Sequence, residues 1–139
     1  MSSWGARQTD SSPWFLPART WRTAFVCFAG AVFIATHWPR LTVPGPGGTD
    51  LVAHLVVFSA WTVLLGLTGW CGPRFSVRGV GLGVLIALAY AGVDEGLQAV
   101  PILGRTCSWS DYGANALGVA LASAGLLVVG WKRRAATSA

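Results

Sequence analysis

The sequence predicts an all-α fold embedded in a membrane, a bundle of four transmembrane helices with both termini cytoplasmic. Three observations predict it. The hydrophobic residues make up 53% of 139 and the charged ones 11%, where soluble domains carry about 25% charged. A soluble domain of this length needs more charge to cover its surface, and so apolar a chain does not stay solvated as disorder; its mean hydropathy is +0.56. The apolar residues also gather into four stretches, each near the roughly 20 helical residues that cross a bilayer core. Finally, Trp21, Trp38, Trp70, Trp109 and Trp131 fall at the ends of those stretches, where interfacial aromatics anchor a helix.

The elements follow in order within a single domain. Residues 1–20 read as a cytoplasmic tail in which Trp14, Phe15 and Leu16 rest on the membrane surface. The first helix spans about 21–38. Arg19 and Arg22 precede or open it, but no small-x-small cleavage site follows, so it is expected to be retained and not cleaved as a signal peptide. A Pro/Gly-rich break from Pro44 to Gly48 leads to the second helix, 51–70. Cys71-Gly72-Pro73-Arg74 separates it from the third, 77–99, which ends before Pro101. The fourth covers 112–131 and leaves a basic tail, 132–139.

The net charge of +5 does not point to nucleic acid, because the basic residues lie between the apolar runs and not along one face. They set orientation instead. Arg7, Arg19, Arg22, Arg74, Arg78, Lys132, Arg133 and Arg134 fall on one side of the membrane, and only Arg40 and Arg105 on the other. The positive-inside rule makes the first side cytoplasmic and the chain a multi-pass protein of the cell membrane, with the lipid bilayer as its main partner. Cys27, Cys71 and Cys107 are expected at different depths, so no internal disulfide is expected.

Under this topology the outer side receives nearly every polar group that enters the helices. Asp50 and His54 open the second helix one turn apart on one face. Asp94, Glu95 and Gln98 close the third, Arg105 lies in the outer loop, and Asp111 and Asn115 open the fourth. Small-residue stripes lead up to these groups: Gly79, Gly83, Ala87 and Ala91 on the third helix, and Gly118, Ala122 and Gly125 on the fourth. Such stripes let helices approach closely, so the third and fourth helices are expected to touch along them, with Leu126 on a different arc. Buried charge is costly unless paired, which makes Arg105 the expected partner of Glu95.

Each residue also has a structural reading. Asp50 suits a helix N-cap, and Ser108-x-x-Asp111 a capping box. His54 suits a packed, hydrogen-bonded histidine, and Gln98 and Asn115 suit interhelical hydrogen bonds. Asp94 reads as a snorkelling surface acid. Glu95 lies farther inside, where no cap is needed, and reads as functional.

The ordered series Asp50-x-x-x-His54, Glu95-x-x-Gln98, Gly104-Arg105 and Asp111-x-x-x-Asn115-x-x-Gly118 resembles the VanZ-like family of small bacterial membrane proteins. The match covers three of the four helices. It departs at Leu51, where the family often has Lys, leaving Arg105 as the cation of the cluster. The resemblance implies a polytopic cell-envelope protein, in a family named after an accessory protein of glycopeptide (teicoplanin) resistance.

Two functions of different class stay open. One is a non-enzymatic envelope or glycopeptide-resistance-associated role, the outer cluster meeting a lipid-linked cell-envelope precursor or a glycopeptide. The other is a small membrane hydrolase or transferase acting on a lipid head group or lipid-linked pyrophosphate, with His54 as base or nucleophile and Glu95 as acid. No cofactor is expected. A metal version would use His54 with Asp50, Glu95 and Asp111 as mixed nitrogen and oxygen ligands, but no His-Glu-x-x-His or similar tight spacing supports it, so no metal is expected either.

Overall fold

Four helices make up most of the described residues, 16–38, 48–100 and 107–138 of a computed structural model, with no strand among them. They are α1 (Ala18–Thr36), α2 (Thr49–Thr68), α3 (Val77–Gln98) and α4 (Trp109–Thr137). Local chemistry moves several limits from those expected. The first helix starts directly after Pro17, so three residues assigned to the tail are helical. At Gly48 (φ 91°) and Gly69 (φ 74°) the backbone is left-handed, a conformation glycine adopts at no steric cost, and these two residues delimit α2. Asp50 therefore lies inside the first turn of α2 and is not its N-cap. The Ser108 hydroxyl caps α4 by accepting from the Asp111 amide, but the Ser108 amide donates to Glu95 Oε2, so only half of the expected capping box forms. That helix then runs on to Thr137; Lys132, Arg133 and Arg134 are good helix formers and sit favourably at the negative end of the helix dipole. The tail expected at 132–139 is thus mostly helical.

Side-chain contacts fix the topology as up-down-up-down. Phe25 of α1 meets Trp61 of α2 edge-on at 4.9 Å, and Arg22 Nε donates to the Thr68 carbonyl, so α1 and α2 are antiparallel. Trp61 in turn stacks on Tyr90 of α3 at 5.1 Å. α2 lies at the centre, packed against all three other helices, and its interface with α4 is the most extensive in the bundle.

That interface corrects the expected packing. A Cβ at Gly118 would overlap the Leu55 carbonyl oxygen of α2 and lie 3.1 Å from Ser59 Oγ, so Gly118 brings α4 against α2 and not against α3. Gly83 also faces α2, with Leu65 nearest. Gly125 is exposed and has open space around its Cβ position, so it is not a packing residue. Leu126, expected off the interface, is buried and fills the space above Gly66 of α2. Ala87, Ala91 and Ala122 are buried as expected. The third and fourth helices meet instead through Gly92 and Tyr112.

Three helices, α2, α3 and α4, are long and apolar enough to cross a membrane. α1 is not among them, since Arg19 and Arg22 in its first turns lower its hydropathy. The outer surface suits lipid: Val26, Ile34, Val52, Leu85, Val93 and Leu121 are all exposed, while Trp38, Trp70, Trp109 and Trp131 are exposed at helix ends. A water-soluble monomer rarely shows so much apolar surface. Charge is divided along the bundle axis. Every described Lys and Arg lies at the end formed by the N-termini of α1 and α3 and the C-termini of α2 and α4, and every described Asp and Glu lies at the other end, with both histidines.

Candidate functional site

The acidic end is built around His54. The first turns of α2 and α4 run in the same direction, which puts His54 beside Asn115. His54 Nδ1 and Asn115 Oδ1 are 3.0 Å apart, in a buried hydrogen bond. An amide oxygen only accepts, so Nδ1 carries the proton and donates. The other ring nitrogen is Nε2. It faces Asp50 Oδ1 at 3.9 Å and Asp111 Oδ2 at 4.0 Å, both beyond hydrogen-bond range.

Glu95 closes the group from α3. Its Oε1 lies 3.9 Å from His54 Nδ1 and, though buried, has no hydrogen-bond partner among the described residues. Its Oε2 accepts from the Ser108 backbone amide at 3.3 Å. Asn115 Nδ2 is likewise buried without a partner. His54, Glu95 and Asn115 are almost entirely enclosed, whereas the Asp50 side chain is 47% exposed. The group therefore meets its surroundings along the Asp50–Asp111 edge. A cleft of about 330 Å³ opens on the far side of Glu95, between α3 and α4, lined by Gly92, Gly96, Ser108, Trp109 and Tyr112.

Thus Asp50, His54, Glu95, Asp111 and Asn115 come together. Gln98 does not join them: it is buried and donates through Nε2 to Asp94 Oδ2 at 3.1 Å. Arg105, the expected partner of Glu95, lies outside the described residues. Asp94 corrects the sequence reading, being 1% exposed and not a surface acid. The C-terminal turn of α1 reaches it: Thr36 Oγ1 donates to its Oδ1 at 2.8 Å, with His37 Nδ1 at 3.8 Å. Thr36 and His37 were not singled out in the sequence. The topology alone places them on the membrane side that gathers the other polar groups.

Three carboxylates around the imidazole suit this arrangement to a cation or an amine. Among the described residues no hydroxyl or thiol is hydrogen-bonded to His54, so the nucleophile–base pair of acyl-transfer enzymes is not formed there. The fold and the site define a helical membrane protein with a buried imidazole–carboxylate group at one end of its bundle. Among known proteins the chain matches no family model, no curated protein and no solved structure.

Proposed function

We propose that the chain is a multi-pass cell-membrane protein of the VanZ-like type, with α1 as a fourth span and both termini cytoplasmic. Its His54 group faces outward and binds a polar component of the envelope, a lipid-linked precursor or a glycopeptide, without turning it over. The observation that carries this reading is the division of charge: the described cations at one end, the described carboxylates at the other. Cations are retained on the cytoplasmic side of membrane proteins, which puts the carboxylate end outside. α1 supports a fourth span by reaching both ends of the bundle, through Arg22 to Thr68 and through Thr36 to Asp94.

The experiment combines sidedness with phenotype in intact cells. Cys107 is exposed at the acidic end and Ser138 at the basic end. A membrane-impermeant maleimide is expected to label Cys107 from outside, and a Ser138→Cys variant lacking Cys107 only after permeabilisation. Cys71 is unsuitable as the inner reporter because burial pushes its thiol pKa up and shields it. Expression in a susceptible host is expected to raise tolerance to teicoplanin, and Asp111→Asn to abolish the gain. Labelling of residue 138 from outside refutes the orientation; unchanged tolerance refutes the resistance role.

A further inference from the structure

We infer that His54 Nε2, Asp50 and Asp111 hold a divalent transition-metal ion of the zinc or manganese kind, with Asn115 fixing the imidazole that binds it. The inference deepens the proposed function, because it takes the same group to be a ligand site. One nitrogen and two carboxylate oxygens, supplied by these three residues, lie within 4.8 Å of one another. Asn115 engages Nδ1, which leaves Nε2 to face the two carboxylates, at 3.9 and 4.0 Å. Two carboxylates gathered at one nitrogen repel each other unless something positive lies between them, and the ring they face is 7% exposed.

A cation resolves the conflict. Metal-bound histidines typically donate their second ring N–H to an oxygen acceptor, which sets the tautomer and ring orientation; Asn115 makes that bond. Two carboxylates and a neutral imidazole carry the charge that balances a divalent ion. Their mixed nitrogen–oxygen character, with no sulfur, suits zinc or manganese better than copper(I), and the imidazole disfavours calcium and magnesium. Zinc needs ligand atoms at about 2.0–2.2 Å, so the group must contract slightly. The half-exposed Asp50 side chain is free to supply that movement. Three protein ligands leave a coordination position open, directed toward the exposed Asp50 edge.

Glu95 adds a separate indication. It is 3% exposed, it stands in the last turn of α3 where the helix dipole disfavours an anion, and its Oε1 has no hydrogen-bond partner among the described residues. A positive ion at the neighbouring His54 ring offsets the first two penalties.

The test uses the full chain purified in detergent micelles, stripped with a chelator and dialysed against zinc or manganese. Bound metal is counted, and thermal unfolding is followed in parallel. Wild type is expected to bind one ion per chain and to unfold at higher temperature with metal than without. Asp50→Asn removes a partly exposed ligand without touching the core, and is expected to weaken binding strongly while unfolding normally in the absence of metal. Asn115→Ala leaves all three ligands in place and is expected to weaken binding by about 10–100-fold. No stoichiometric binding at millimolar metal, or binding that persists unchanged in Asp50→Asn and Asp111→Asn, overturns the inference. Neither measurement depends on sidedness or resistance. Loss of metal binding with the expected Cys107 labelling sinks only this inference, and reversed labelling with intact metal binding sinks only the topology.

Discussion

Replacing Gly118 by alanine adds one methyl group where α4 lies closest to α2. The new Cβ would overlap the Leu55 carbonyl oxygen and sit 3.1 Å from Ser59 Oγ. A backbone carbonyl inside a helix does not swing aside, so the two helices must part. Overpacking of this kind costs about 1–3 kcal/mol. Parting also weakens the bond from Ser59 Oγ to the Gly118 carbonyl, 3.1 Å long; interhelical hydrogen bonds in membranes average about 0.6 kcal/mol. Alanine returns about 1 kcal/mol of helix propensity, which leaves a net loss of roughly 0.5–2.5 kcal/mol. Gly125→Ala is the matched control. Its Cβ meets nothing within 4 Å, so only the propensity gain remains, up to about 1 kcal/mol of stabilisation. Reversible unfolding in mixed micelles, driven by increasing dodecyl sulfate, compares the two variants directly. Equal stability of Gly118→Ala and Gly125→Ala would refute the assignment of Gly118 to the α2–α4 contact.

Two further outcomes follow from the packing. Leu126 is buried over Gly66, which has no side chain to collapse into the space left behind; Leu126→Ala is expected to cost about 2–5 kcal/mol, and Leu121→Ala, on the exposed surface, much less. Similar losses in the same micelle titration would place Leu126 on the lipid side. At the acidic end, the bond from Thr36 Oγ1 to buried Asp94 is expected to give a coupling of about 1.5–3 kcal/mol in a cycle of Thr36→Val and Asp94→Asn. Strict additivity of the two substitutions means that α1 does not hold Asp94.

The bundle was legible from composition and breaks because a bilayer demands long apolar helices whose backbone bonds are satisfied internally. The helix ends were less so. Whether Lys132, Arg133 and Arg134 form a tail or prolong α4 depends on propensity outside the apolar run, which hydropathy does not read. Pairing between helices was legible only in part. Small-residue stripes identify faces able to pack closely, but Gly118 would suit a partner on either side, and α4 places it against α2. The polar residues were found because they recur at one membrane side, and Asp50, His54, Glu95, Asp111 and Asn115 do converge. Asp94 was misjudged because its partner Thr36 belongs to a helix with no acidic residue and no marked polar motif.

Charge bookkeeping at the acidic end decides what kind of molecule it can receive. Asp50 and Asp111 stand in the first turns of α2 and α4, where helix dipoles favour them. Asp94 is held by Thr36 and Gln98. Glu95 accepts from one backbone amide on one oxygen, and its other oxygen has no hydrogen-bond partner among the described residues. Without a metal ion, three carboxylates around the imidazole attract an amine and repel phosphate. A divalent ion at Asp50, His54 and Asp111 would offset two of the three negative charges and offer an open coordination position to a phosphate or pyrophosphate oxygen. The two readings of the site, as a receptor for an amine-bearing molecule or for a lipid-linked phosphate, therefore reduce to one chemical variable. Metal occupancy at His54 sets whether the ligand meets bare carboxylates or an open coordination position on the ion.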